Sequence, residues 1–121
     1  MKLADEAILN LKDKKNLIEL DVSHTTIRGI YFPFLSNLLE KLNCSYNENI
    51  VDKVFILLKS KTKLTEFDVS FTEVTGKFFA FLPGSLKLLC RPYKLTEEAQ
   101  QIVQERGWDT LKNRHGYGYQ S

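Results

Sequence analysis

Residues 64–72, LTEFDVSFT, repeat residues 17–25, LIELDVSHT, at an offset of 47 positions. An echo of this length constrains the fold more than any bulk property does. Leu17, Leu20 and Val22 in the first copy, and Leu64, Phe67 and Val69 in the second, fall at intervals of three and then two. The closing interval is a strand alternation with one apolar face. Two further segments fit the same spacing, starting at Leu39 and Leu86. The four starts lie 22, 25 and 22 residues apart, so a short and a long unit alternate within a pair of 47 residues.

The pairing runs well past the strands. TTIRGIYFPFLSNLL at 25–39 lines up with TEVTGKFFAFLPGSL at 72–86, which sets Thr25 against Thr72 and Gly29 against Gly76. Phe32, Phe34 and Leu35 then meet Phe79, Phe81 and Leu82. DEAILNLKDKKNL at 5–17 aligns in the same way with DKVFILLKSKTKL at 52–64. A unit of this size cannot bury its apolar side alone, so successive units must stack and share one core.

Over residues 5–95 the chain resembles the leucine-rich repeat family, through the Leu-x-x-Leu-x-Leu spacing and its repetition. The resemblance implies an α/β leucine-rich-repeat solenoid. A short parallel β-sheet would line the concave face, helices and irregular turns the convex face, and a helix would cap the C-terminal end. Two units depart from the pattern. LEKLNCSYNENI at 39–50 places Cys44 where leucine is usual, and LKLLCRPYKL at 86–95 puts Arg91 at an inward position beside Pro92. Arginine and proline there predict a terminal strand leaving the pattern.

The return segment at 51–60 reads as helical, because Val51, Val54, Phe55, Leu57 and Leu58 recur at three- and four-residue intervals. The short units, with Pro33 or Pro83, predict only brief helical turns. Thr25, Asn47 and Thr72 take the place where a polar side chain satisfies backbone groups as the chain turns inward. Gly29 and Gly76 serve a tight return.

The 121 residues make one domain in four parts. Residues 1–16 are an N-terminal capping helix or half repeat, with Ile8, Leu9 and Leu11 covering the edge of the first strand. Residues 17–95 hold the four strand units. Residues 96–111 form a C-terminal cap helix that opens at Thr96 with Glu97 and Glu98 in its first turn and stops at Gly107. Ala99, Ile102, Val103 and Arg106 face the core, and Trp108 and Leu111 fold over the last strand. Residues 112–121 are a flexible tail ending HGYGYQS.

Composition narrows the function classes. Hydrophobic residues are 43% and charged residues 26%, an ordinary globular balance, and a formal net charge of +2 is too small to argue for nucleic acid by itself. No apolar run has the length of a membrane span and no signal peptide opens the chain, so the expectation is a cytoplasmic protein, or one delivered to a host cell if it is a pathogen effector. Cys44 points inward and Cys90 outward two strands away, about 9.6 Å at strand spacing, too far for a disulfide. Cys90 and His24 lie about 14 Å apart on the same reckoning, too far for a nucleophile and its base. Two cysteines and two histidines without ligand spacing give no metal site. The reading is therefore of a non-enzyme with no catalytic residue, cofactor or metal.

What the strands offer outward is a surface. Glu19 and Asp21, Lys41 and Asn43, Glu66 and Asp68, and Leu88 and Cys90 flank the central apolar residue of each strand. Beyond them His24, Tyr46, Phe71 and Tyr93 form a ladder of rings along one rim. Such rings are common interface anchors and also stabilise one another when stacked. The expected function is protein–protein interaction through Glu19, Asp21, His24, Tyr46, Glu66, Asp68, Phe71 and Tyr93, with a partner bearing basic or apolar groups. The resemblance implies adaptor, effector or receptor roles for such a module. The alternatives are a structural segment of a longer repeat protein, a homodimer through the edge strand 17–22, and nucleic-acid binding. The last would use Lys12, Lys14 and Lys15 together with Lys59, Lys61 and Lys63. Lysines where a helix ends are more simply a solvated helix terminus.

Overall fold

The computed structural model describes residues 5–110. Its centre is a four-stranded parallel sheet in sequence order: β1 (Glu19–Asp21), β2 (Lys41–Asn43), β3 (Glu66–Asp68) and β4 (Leu88–Cys90). The register is in phase across all four strands. Glu19, Lys41, Glu66 and Leu88 form one row, Leu20, Leu42, Phe67 and Leu89 the next, and Asp21, Asn43, Asp68 and Cys90 the third. The middle row faces the core, as the spacing predicts. Leu42, Phe67 and Leu89 are buried, whereas Leu20 at the open end is only partly covered.

Each strand spans three residues because the chain turns immediately after it. The Val22 and Val69 side chains are buried in the core, and the Thr25 and Thr72 hydroxyls each donate to the carbonyl three residues back, at 2.7 Å. Asn47 does more: its Nδ2 donates to Val22 O and Cys44 O, joining two neighbouring turns. These are the backbone-satisfying roles expected of the three polar positions.

The return segments are less regular than the periodicity predicts. Only Glu6–Leu9 (α1) and Val54–Leu57 (α2) are α-helical on the long returns, and 3-10 turns occupy Phe32–Phe34 and Phe79–Phe81. The expected helix over 51–60 thus shrinks to a single turn. Asp52, which would start it, instead accepts from the backbone N–H groups of Thr75 (2.9 Å) and Gly76 (3.0 Å) in the next unit. Asp5 does the same one pair earlier, accepting from Arg28 and Gly29 at 2.9 and 3.0 Å.

Glycine is required at the receiving end of both contacts. Gly29 has φ +89° and a Cβ there would lie 2.7 Å from Val54 Cγ2, while Gly76 has φ +84° and a Cβ would lie 2.5 Å from Ala99 Cβ. The two glycines therefore seat α2 and the third helix, α3 (Glu97–Arg106), respectively. Thr96 caps α3 by accepting from Ala99 N–H, and Gly107 closes it in the left-handed region, as the sequence predicts.

The far end of the sheet is closed by one residue. Asp109 forms a parallel bridge beside β4: Leu89 N–H donates to its carbonyl and its own N–H donates to Lys87 O, both at 2.8 Å. Trp108 is buried against Phe79, edge to face at 5.9 Å. β4 thus keeps the register of the sheet and is flanked on both sides, and the departure predicted from Arg91 and Pro92 falls just after it, where Tyr93 lacks the positive φ of His24, Tyr46 and Phe71. Arg91 keeps its Nε buried with no hydrogen-bond partner among the described residues. Leu111, expected in the lid, and the tail at 112–121 lie outside the described residues.

Candidate protein-binding face

The outward face of the sheet is built by a device that recurs three times. Asp21, Asn43 and Asp68 each turn a side-chain oxygen onto the backbone N–H and hydroxyl of the serine two residues on, at distances between 2.6 and 3.0 Å. This is the local competition with sheet hydrogen bonding that short polar side chains favour, and it stops the strand. It also revises the expected contact set. Asp68 is 4% exposed and its Oδ1 is committed to Ser70, so it is a turn former and not a carboxylate offered to a partner. Asp21 forms the same turn but stays exposed at the open end. Cys90, expected outward, is buried, and both cysteines are free.

The residue after each of those serines has a left-handed backbone. His24, Tyr46 and Phe71 have φ of 56°, 57° and 56°, a conformation that bulky side chains rarely adopt. The turn directs all three rings into one column. His24 stacks on Tyr46 at 4.3 Å between centroids and 12° between planes, and Tyr46 stacks on Phe71 at 4.5 Å and 10°. Tyr93 continues the column edge to face at 5.9 Å and is 60% exposed. Its backbone is not left-handed, so the fourth unit ends the column by a different route.

Beside the column, the first strand row alternates in charge. Lys41 Nζ lies 3.4 Å from Glu19 and 3.3 Å from Glu66. The two carboxylates hold the Lys41 ammonium above its usual range, Glu66 contributing more. Leu88 replaces a charge in the fourth place. Over the strands themselves this face forms an open hollow of about 350 Å³ lined by residues of all four, the charged row included. Of the eight expected contact residues, the structure brings Glu19, Glu66 and the four rings to one face, with Asp21 at its edge and Asp68 beneath it.

The lysine groups separate. Lys61 is 0% exposed and its Nζ donates to Pro33 O (3.0 Å), Leu35 O (2.7 Å) and Asn37 Oδ1 (3.0 Å). Burial lowers its pKa. The equivalent carbonyls one pair later, Ala80 O and Leu82 O, receive the guanidinium of Arg106. A phosphate-binding stripe therefore loses its central lysine to the interior. Arg106 itself is exposed and capping, not core-facing as its position in the helix predicts.

Sequence reasoning missed the left-handed backbone, although Asp/Asn-x-Ser-ring-Thr/Asn, written three times, is its signal. It also missed a convex feature. Phe34 and Phe81 are both exposed and each tilts against an aromatic three residues earlier, Tyr31 and Phe78. Among the described residues no group of three or more His, Cys, Asp or Glu is placed to hold a metal ion, and no helix is long and apolar enough to cross a membrane. No protein-family model, curated protein or solved structure matches the chain.

Proposed function

We propose that this chain is a small leucine-rich-repeat solenoid that binds a protein partner, without catalysis, through its concave strand face and aromatic rim. Support for the fold reading comes from the in-register parallel sheet in sequence order and from turns that recur at the repeat offset. One observation carries the functional reading. Three consecutive rings sit in a backbone conformation that disfavours them, where glycine would cost nothing. Strain of this kind, repeated at an exposed face, is a mark of use. The stacked rings are already ordered, so a partner meets them with little entropy left to lose. The neighbouring Glu19 and Glu66 favour a partner with cationic as well as apolar groups.

The test is affinity capture with the natural chain and with a Tyr46→Gly, Phe71→Gly pair, read by mass spectrometry. Glycine keeps the left-handed turn, so the fold is retained and only the rings go. Proteins retained by the natural chain should be lost by the pair. Equal retention by both would remove the rim from the reading. A second reading, a structural or self-associating segment of a longer repeat protein, rests on the outer edge of β1, with which no described strand pairs. Light scattering across a concentration series discriminates it.

A further inference from the structure

Among the described residues, the outer edge of β1 is a strand edge with no pairing partner. Ile18 O accepts from Lys41 N–H, Val22 N–H donates to Asn43 O, and His24 N–H donates to Ser45 O. These groups all face β2. Strand alternation then places the N–H and C=O of Glu19 and Asp21 on the opposite edge, with no backbone partner among the described residues. Around that edge Leu17 and Leu20 are only partly buried and Ile18 is 46% exposed. Among the described residues, Glu19 has a cation on its β2 side only and His24 has a stacked ring on one face only.

A second copy of this chain is a poor occupant. Two identical edge strands pair antiparallel about a two-fold axis. Centred on Leu20, that pairing sets Glu19 beside the second copy's Asp21, twice, on one face. Like charges directly opposite are destabilising. The rest of the sheet follows the reverse rule: Lys41 separates Glu19 from Glu66, and neutral Asn43 separates Asp21 from Asp68.

We propose that β1 is a docking edge for an extended segment of another protein, added as a parallel strand. The segment carries a cation beside Glu19, an apolar residue over Leu20 and a neutral polar residue beside Asp21. An aromatic further on would rest on the open face of His24. This is strand addition, in which backbone hydrogen bonds give affinity and alternate side chains give selectivity. It shares Glu19, Asp21 and His24 with the proposed binding face but uses the backbone edge of β1, and it needs neither Tyr46 nor Phe71. β2 already shows the required chemistry, since Lys41, Leu42, Asn43 and Tyr46 meet Glu19, Leu20, Asp21 and His24 from the other side.

The probe is therefore the synthetic peptide LEKLNVSYNEN, the sequence of residues 39–49 with valine for cysteine. Hydrogen exchange followed by NMR should show new protection at the amides of Glu19 and Asp21, with Leu20 and Val22 unchanged because they already face β2. Replacing the peptide's lysine by glutamate should weaken binding about tenfold or more, and Glu19→Lys should restore it. Glu19→Pro should abolish binding without disturbing β2–β4, since proline is tolerated on an open edge. The Tyr46→Gly, Phe71→Gly pair should keep its peptide affinity, which separates this site from the rim. Three results overturn the proposal: no protection at Glu19 and Asp21 with peptide present, loss of peptide affinity in the glycine pair, or a doubled mass with those amides protected and no peptide added.

Discussion

At His24, Tyr46 and Phe71 the chain accepts a left-handed backbone that costs about 1–2 kcal/mol for a residue with a Cβ. Flat stacking returns about 0.5–1.5 kcal/mol per ring pair beyond area burial. Three such residues cost about 3–6 kcal/mol and the two flat pairs return about 1–3 kcal/mol, so stacking offsets part of the strain. Tyr46→Ala removes the stacking and keeps the strain, whereas Tyr46→Gly removes both. Chemical denaturation should rank glycine above alanine by about 1 kcal/mol, an inversion of the order expected in a strand. Lys61→Met leaves one buried acceptor, Leu35 O, and two part-buried ones, Pro33 O and Asn37 Oδ1, without this donor and should cost about 1–3 kcal/mol, while Lys59→Met and Lys63→Met stay within about 0.5 kcal/mol. Cys44 carries a pH signature. Burial first, then Asp68 and Asp21, raises its thiol well above the ordinary value of 9.0. Above that value the unfolded chain releases the proton and the folded chain keeps it, so stability falls as pH rises. Cys44→Val, matching Val22 and Val69 in the equivalent turns, should gain relative to the natural chain above pH 9 and show a constant difference below it. Which residues point inward was legible from apolar spacing alone. The fate of Asp68 and Lys61 was not, because a polar side chain's direction depends on the partner that a neighbouring unit supplies.

Elements in this chain are short and held by their neighbours. α2 is a single turn, well under the length at which an isolated helix persists in water. Its place is fixed by Phe55, which packs edge to face on Phe67 at 5.8 Å and on Phe79 at 4.8 Å. The three- and four-residue spacing over 51–60 was real, but it reported burial against two adjoining units and not a long helix. The aligned Asp5 and Asp52 were visible in the sequence, yet their reach into the following unit was not, since no local rule assigns a carboxylate to a loop more than twenty residues on. Gly76→Ala should test that seat. It meets both a positive φ and an atom of α3, so a loss of about 2–4 kcal/mol is expected by thermal or chemical unfolding. Gly107→Ala has the positive φ and nothing within 4 Å, so about 1 kcal/mol is expected.

For the whole molecule, order should fall toward the open end. Leu42 and Phe67 lie between two paired strands and Leu89 between β3 and the Asp109 bridge, while among the described residues Leu20 has a paired strand on a single side. Stability in a stack is a sum over units and their junctions, so fraying begins where a junction is missing. Native-state hydrogen exchange should find the β1-to-β2 amides opening before those between β3 and β4. A reversed gradient would mean that the Asp109 bridge is the weaker closure. Repetition made this architecture readable, because one register explains most of the chain twice. The direction of closure was not readable, since it depends on a single residue bridging across from beyond α3.

That bridge has a consequence for how such a molecule can grow. Asp109 works as a plug one residue wide, holding the place beside β4 that a further strand would need. A 47-residue cassette spliced between matching points of two interior turns would leave both termini as they are. It would lengthen the column by two strand spacings, about 9.6 Å, and carry the ring pattern with it.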